Sequence, residues 1–200
     1  MDLTSFASTQ KFYSENAEAF FKETLPLDLT TSYKIFLSKL ERESLILDLG
    51  CGSGRDSNYF RKLGYLVESW EPNEKLASLA EKYLEWPVKR ASSFELQNTG
   101  QYNGIWASAS LLHLELKNFC ETLPRIESAL KSGGVFYSSF KLGSKDIHKE
   151  GRFFLMMTEE RLLSCIHKMT KFKILEIRRR PDHRPERSAE NWLECMAIRE

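Results

Sequence analysis

Cysteine, histidine and net charge are all scarce in this chain of 200 residues. The four cysteines are scattered without a Cys-x-x-Cys pair, and the four histidines show no metal-ligand spacing. The formal net charge is +1 at pH 7, so no long-range electrostatic field attracts nucleic acid or an anionic membrane. We therefore expect reduced thiols, no metal site and no nucleic-acid partner.

Long apolar runs are absent as well. No stretch approaches the roughly 20 apolar residues that span a bilayer, and the N-terminus has no secretory signal pattern. These absences predict a cytoplasmic protein without a membrane partner. A chain of 200 residues is long enough for one hydrophobic core and too short for two comfortable ones, so we predict a single domain over residues 1–200.

Glycine is concentrated at one informative place. The apolar run Leu45–Leu49 is typical of a buried parallel strand, and Gly50, Gly52 and Gly54 follow it directly. Glycines at such a turn let the backbone bend sharply and approach a ligand closely. An acidic residue about 20 positions beyond such a turn accepts hydrogen bonds from ribose hydroxyls, and Glu71 stands there. The pattern predicts a nucleotide-like ligand.

The hydrophobic pattern predicts helices up to about residue 40, broken by Pro26, and then an alternation of strands and helices. This alternation indicates a doubly wound α/β sheet. Residues 141–157 have poor periodicity and predict an irregular loop. The remaining segments are predicted as strands at 44–49, 65–70, 88–91, 104–107, 135–140, 172–179 and 192–198, and as helices at 55–63, 73–84, 117–130 (ended near Gly133-Gly134) and 158–169.

The spacing of the glycines restricts which class of nucleotide-like ligand the turn can bind. A dinucleotide fingerprint, Gly-x-Gly-x-x-Gly, needs a glycine where Arg55 stands, so a nicotinamide dehydrogenase fits less well. Preceded by Asp48, the motif Gly-x-Gly-x-Gly resembles motif I of the class I S-adenosylmethionine-dependent methyltransferases. Within that family the chain is similar to the small-molecule type, which includes tellurite-resistance and ubiquinone-biosynthesis proteins. The resemblance runs from about Leu45 to the C-terminus, after a segment similar to the family's helical lid.

The resemblance implies a fold and a division of the chain. The fold would be a Rossmann-like, doubly wound α/β sheet of seven strands in the order 3-2-1-4-5-7-6, with the last strand antiparallel. Residues 1–43 would form the N-terminal helical lid and residues 44–140 the cofactor-binding core. Residues 141–200 would supply the substrate-side loop and a terminal hairpin. The cofactor would be S-adenosyl-L-methionine, and S-adenosyl-L-homocysteine the product.

The same resemblance implies the cofactor contacts. Asp48 would lie near the methionine part of the cofactor and order the loop, Glu71 would hold the ribose, and Tyr13 would close over the cofactor from the first helix. After strand three the family often has an Asp, whereas this chain has Ser92-Ser93-Phe94-Glu95; Phe94 is predicted either on the adenine face or in the core. The candidate cofactor residues are Tyr13, Asp48, Gly50, Cys51, Gly52, Gly54, Arg55, Glu71, Pro72, Ser93, Phe94, Ala107 and Ser108.

The segment after strand four restricts the methyl acceptor. It lacks the Asn/Asp-Pro-Pro-aromatic motif of enzymes that methylate base amines, and residues 107–110 lack the carboxylates that hold the metal ion of catechol-type enzymes. His113 is the candidate for proton transfer, because imidazole titrates near neutral pH. It could equally be a surface or capping residue. Methyl transfer from a sulfonium needs alignment and desolvation more than an obligatory base.

Cations cluster towards the C-terminus. Lys141, Arg152 and Arg184 are the candidate substrate-binding residues, and together they would suit a carboxylate or phosphate. Alternatively, such a run is a solvated face of an edge strand. The leading hypothesis is methyl transfer to O, N or S of a small molecule, with an anionic one suiting the cations. The alternatives are methylation of RNA or protein, with residues 168–184 as the docking surface, and an inactive cofactor-binding module.

Overall fold

One twisted sheet organises the chain, whose computed structural model describes residues 4–184, 187 and 189–200. Within these residues the sheet has seven strands in the order β3-β2-β1-β4-β5-β9-β8. The strands are β1 (Leu45–Leu49), β2 (Leu66–Trp70), β3 (Val88–Lys89), β4 (Tyr102–Ala107), β5 (Leu130–Lys141), β8 (Lys173–Pro181) and β9 (Asn191–Ile198). Strands β1 to β5 pair in parallel, and β9 is antiparallel to both β5 and β8. The predicted Rossmann-like order is confirmed, because the two other strands of the described residues, β6 (Ile147–Lys149) and β7 (Arg152–Phe154), lie outside this sheet.

Helices cover both faces of the sheet because the buried strands alternate their side chains. In β1, Ile46 faces a cluster built on Tyr33, Phe36 and Phe60, whereas Leu47 belongs to the larger cluster on the other side of the sheet. The helices are α1 (Thr4–Thr24), α2 (Thr30–Leu37), α3 (Arg55–Lys62), α4 (Glu74–Leu84), α5 (Leu116–Ala129) and α6 (Glu159–Met169). The described helices include none that is both long and apolar enough to cross a membrane.

Local sequence explains where several helices begin. The Asn73 side chain accepts a hydrogen bond from the Leu76 backbone N–H at 3.2 Å and caps α4, and Thr158 caps α6 in the same way through Arg161. Helix α1 buries Tyr13 and Ala17, which are four residues apart, and it is kinked at Asn16. The kink lies in the middle of the predicted first helix.

The segment predicted as an irregular loop contains regular structure. Within residues 141–157, β6 (Ile147–Lys149) and β7 (Arg152–Phe154) pair antiparallel around a turn at Glu150 and Gly151, both of which have positive φ. The prediction failed because strands of three residues are too short to show an alternating pattern. Gly133 and Gly134 were predicted to end α5, but α5 ends at Ala129 and both glycines lie inside β5.

Candidate functional site

The candidate site is a cleft of about 1400 Å³, open mouth included, at the carboxyl ends of the parallel strands. One end is formed by the glycine turn after β1 and by Glu71 after β2. The other end is formed by Lys141, Arg152 and the segment after β8. Helix α1 covers the space between them.

The glycine turn brings bare backbone to the cleft. The backbone N–H groups of Gly50 and Cys51 both donate to the Trp70 carbonyl oxygen, at 2.8 and 2.9 Å. This pins the turn to the end of β2. Gly50 has φ +81°, and a Cβ added there would lie 2.5 Å from the Cβ of Ser110. Only glycine fits this position, because both the backbone conformation and the space exclude a side chain.

Glu71 is one of the carboxylates that line the cleft, with Asp56 and Asp182, and is 6 % exposed. Its two oxygens accept hydrogen bonds from the backbone N–H groups of Gly52 at 3.0 Å and Asn73 at 2.8 Å. Burial raises the pKa of Glu71 to about 7, although these two hydrogen bonds lower it. A carboxylate has about four lone-pair sites, so Glu71 keeps capacity to accept further hydrogen bonds from a ligand.

Asp48 lies behind the glycine turn rather than at the surface of the cleft. Its Oδ2 accepts a hydrogen bond from Ser57 Oγ at 2.6 Å, and Ser57 also contacts Ser69 at 2.7 Å. Burial raises the pKa of Asp48 well above its usual range, and the charge of Asp56 adds to this. Asp48 thus ties α3 to β1 and orders the turn, but it does not line the cleft.

Arg55 connects the turn to the end of α1. Its guanidinium pairs with Asp56 at 2.5 Å, lies 3.1 Å from Tyr33 Oη and donates to the Thr24 carbonyl oxygen at 3.1 Å. The residue that excludes the dinucleotide fingerprint is therefore one that holds the covering helix in place.

The predicted cofactor residues divide into those that line the cleft and those that do not. Phe94 packs edge-on against Phe6 with ring centroids 5.7 Å apart, and Phe6 rather than Phe94 lines the cleft. Asp48, Gly54, Phe94 and Ala107 do not line the cleft. The predicted cofactor residues that do are Tyr13, Gly50, Cys51, Gly52, Arg55, Glu71, Pro72, Ser93 and Ser108.

Tyr13 and His113 meet inside the cleft. Tyr13 Oη lies 2.8 Å from His113 Nε2, and His113 Nδ1 lies 2.7 Å from the carbonyl oxygen of Phe153. A carbonyl oxygen only accepts hydrogen bonds, so Nδ1 carries the proton of the neutral imidazole. Nε2 is then unprotonated and accepts the hydroxyl proton of Tyr13.

The ionisation of this pair follows from its burial. Burial lowers the pKa of His113 to about 4, and the nearby cations Arg152 and Lys141 lower it further, against the hydrogen bond to Phe153. Burial also raises the pKa of Tyr13 to about 12. His113 is therefore neutral and Tyr13 protonated at neutral pH.

The three predicted substrate residues all line the cleft. Lys141 pairs with Glu190 at 2.5 Å, and Arg184 pairs with Asp182 at 2.7 Å and with Glu23 at 2.9 Å.

Arg152 is the least neutralised of these buried cations. Its guanidinium stacks on the Phe12 ring at 3.9 Å, and its ion pair, at 2.7 Å, is with Glu150, whose side chain is 58 % exposed. Its Nε is buried without a hydrogen-bond partner among the described residues. An ion pair with an exposed carboxylate offsets the potential of a buried cation only weakly. Arg152 therefore gives the cleft a positive potential that can attract an anion.

Sequence reasoning missed several lining residues. Asp182 accepts hydrogen bonds from Arg184 Nε and Trp192 Nε1, both at 2.9 Å. The one sequence signal for Asp182 was its position among the arginines of residues 178–184. Gln10, Phe20 and Ser110 also line the cleft, and no local motif marks them. Across the described part of the chain, no group of three or more His, Cys, Asp or Glu side chains could hold a metal ion.

Comparison with known proteins identifies the sequence family. A family model described as a methyltransferase domain matches residues 21–195. A probable S-adenosyl-L-methionine-dependent methyltransferase, TehB of Haemophilus influenzae (strain 10810), is 36% identical over 66 residues. The match covers 33% of this chain and 23% of that protein, so it spans about a quarter of the relative's length.

Solved structures share the fold at low sequence identity. One is a 1,6-didemethyltoxoflavin-N1-methyltransferase of Burkholderia thailandensis with bound 1,6-didemethyltoxoflavin and S-adenosylhomocysteine. It matches with TM-score 0.82 and 20% identity over 97% of this chain and 88% of that one. TehB from Haemophilus influenzae matches with TM-score 0.69 and 19% identity over 94% of this chain and 67% of that one.

Proposed function

The chain belongs to the methyltransferase domain family, and from this premise we propose that it is an S-adenosylmethionine-dependent methyltransferase that methylates a small molecule at oxygen, nitrogen or sulfur. We propose further that the acceptor carries an anionic group. The observation that carries the proposal is the polarity of the cleft, which has Glu71 and exposed backbone at one end and, at the other, the buried cations Lys141 and Arg152 beside the paired Arg184 and Asp182.

The first end of the cleft suits the cofactor. Glu71 has spare acceptor capacity for ribose hydroxyls, and the glycine turn lets a ligand lie against backbone. Gly50, Gly52, Glu71 and Pro72 would hold S-adenosylmethionine here. When bound, this cofactor supplies an electrophilic methyl group on a sulfonium.

The second end suits an anionic acceptor. Arg152 and Lys141 are each at most 9 % exposed, and both line the cleft. A carboxylate or phosphate there would form charge-assisted hydrogen bonds, which are about twice as strong as neutral ones. Holding the acceptor by this group orients its reacting atom towards the cofactor end, and the cover of α1 limits the access of water.

A small molecule is better supported than RNA or protein. Three of the arginines that would form an RNA-docking surface have ion pairs within the chain: Arg178 and Arg180 both contact the buried Glu194, and Arg184 contacts Asp182. These carboxylates offset the positive potential that a phosphate backbone would meet there. The small heteroaromatic bound to the Burkholderia relative also supports a small acceptor.

We also propose a cytoplasmic location. Its support is that Cys51, Cys120, Cys165 and Cys195 are all free thiols, as is usual in reducing compartments.

Two experiments test the proposal in sequence. Calorimetry against S-adenosylmethionine, S-adenosylhomocysteine and NADH should give micromolar binding of the two sulfur ligands and none of NADH. Methyl-labelled cofactor is then incubated with 4-hydroxybenzoate, 4-aminobenzoate and 4-mercaptobenzoate, which present O, N and S acceptors on one carboxylate framework. Labelled product supports the proposal. Cofactor binding without transfer to any small molecule would favour the inactive-module alternative, and transfer to RNA alone would overturn the choice of acceptor.

A further inference from the structure

The direction of the hydrogen bonds around Tyr13 restricts what this residue can offer a ligand. Its hydroxyl proton is committed to His113 Nε2, because the Phe153 carbonyl fixes the proton of His113 on Nδ1. What remains on Tyr13 is the lone-pair side of its oxygen. Tyr13 therefore meets a ligand as a hydrogen-bond acceptor and not as a donor.

Tyr13 is also placed at the junction of the two ends of the cleft. It lines the cleft, and its ionisation responds to Glu71 on the cofactor side and to Arg152 and Arg184 on the cation side. A methyl group delivered from one end to a molecule held at the other has to cross this junction.

We infer that the oxygen of Tyr13 receives a hydrogen bond from the reacting group of the acceptor, which is therefore an X–H group that also has a free lone pair: a hydroxyl or an amine. The inference rests on the proposed function and names the class of acceptor atom that the site selects. A bound X–H donor directs its remaining lone pair away from Tyr13, which orients it for in-line displacement. A carboxylate oxygen or a fully substituted amine has no such proton and could not make this hydrogen bond.

His113 is then a positioning residue rather than the base that takes the proton. Conversion of X–H to X–CH₃ releases one proton. His113, with its pKa near 4 and with Arg152 and Lys141 close by, cannot retain that proton at neutral pH. The proton goes to water, and His113 serves to hold the hydroxyl proton of Tyr13 on the far side of its oxygen.

The first test needs no acceptor. Nitrogen NMR of the ¹⁵N-labelled full chain at pH 7, with His113 assigned through His113→Gln, should show a protonated Nδ1 and an unprotonated Nε2. In Tyr13→Phe the Nε2 resonance should shift towards that of a free, unbonded ring nitrogen. A protonated Nε2 in the wild-type chain would reverse the hydrogen bond and overturn the inference, whether or not the protein transfers methyl groups.

The second test uses the same substituted benzoates as acceptors, together with benzoate itself, which has no X–H group. Transfer to 4-hydroxybenzoate or 4-aminobenzoate should fall by about a hundredfold in Tyr13→Phe, mainly in kcat. The control variant Tyr83→Phe, which makes the same change outside the cleft, should keep wild-type rates. Methylation of benzoate by the wild-type chain, or an unchanged rate in Tyr13→Phe, would overturn the inference. Failure of cofactor binding would instead overturn the proposed function and leave the NMR result standing.

Discussion

Tyr13 Oη lies 2.8 Å from His113 Nε2 and joins the covering helix α1 to the segment after β4, although the two residues are 100 positions apart in the chain. The contact is buried on both sides. It places an aromatic ring, an imidazole and the Phe153 carbonyl in one hydrogen-bonded chain at the centre of the cleft.

Burial of His113 predicts a specific acid sensitivity. Its pKa is about 4 in the folded protein and about 6.5 when unfolded, so between these values the unfolded chain binds more protons and stability falls as the pH is lowered. The loss amounts to about 3 kcal/mol by pH 4. Urea unfolding at several pH values should show a steeper fall for the wild-type chain than for His113→Gln. The difference between the two proteins reports on His113 alone. Glu71, whose raised pKa makes stability rise as the pH is lowered, is present in both. Parallel curves would contradict the assigned burial.

Glu71 predicts how cofactor affinity depends on pH. Its pKa is about 7, so raising the pH from 6 to 8 ionises it, and the charged form accepts hydrogen bonds from ribose hydroxyls more strongly. Calorimetry should show S-adenosylhomocysteine binding several-fold tighter at pH 8. Glu71→Gln should bind at least about tenfold more weakly, as expected for losing a charge-assisted hydrogen bond, and show a flat pH profile. Unchanged affinity in this variant would remove Glu71 from the site.

Gly50→Ala should disable the cofactor end. A Cβ at this position would lie 2.5 Å from the Ser110 Cβ on a backbone with φ +81°, so the turn has to shift. The φ strain alone costs about 1–2 kcal/mol. Thermal unfolding should show a lower Tm, and S-adenosylhomocysteine binding should be lost. The matched control is Gly64→Ala, which has φ +89° and nothing within 4 Å; it should lower the Tm by the φ strain alone and leave binding intact.

Arg152→Met should weaken acceptor binding while leaving cofactor binding unchanged. Methionine keeps contact with the Phe12 ring but removes the charge that we assign to the anionic group. We expect KM for the benzoate acceptors to rise about tenfold or more, the loss of a charged hydrogen bond. Lys149→Met removes an exposed cation opposite Arg152 on the same hairpin and should leave KM unchanged. Equal increases in KM in the two variants would show that the cations act through long-range electrostatics, and would contradict direct binding of the anionic group by Arg152.

The fold was largely predictable because its signals are local. A buried strand such as Leu45–Leu49, and a glycine turn followed by an acid, are read from consecutive residues, and the sheet order came from the resemblance that they carry. The hairpin of β6 and β7 was missed because its strands have only three residues each. Their pairing depends on packing against α1 and on the turn at Glu150.

The candidate site was predictable in part for the same reason. Gly50, Gly52 and Glu71 line the cleft as expected. Asp48 and Phe94 instead lie behind the cleft surface, where Asp48 contacts Ser57 and Phe94 packs against Phe6. Which face a side chain takes at the end of a strand depends on the neighbouring elements. The cofactor and substrate assignments of individual residues stay predictions.

By itself, the sequence determined the family, the order of strands and helices, and the residue types available at the end of each strand, since these follow from periodicity and short motifs. Only the tertiary structure decided that His113 is neutral with its proton on Nδ1, that Tyr13 is its partner, and that Arg152 pairs with an exposed carboxylate while Arg184 pairs with a buried one. The physical reason is that ionisation, tautomer and charge pairing are set by burial and by neighbours distant in sequence, which no local pattern records.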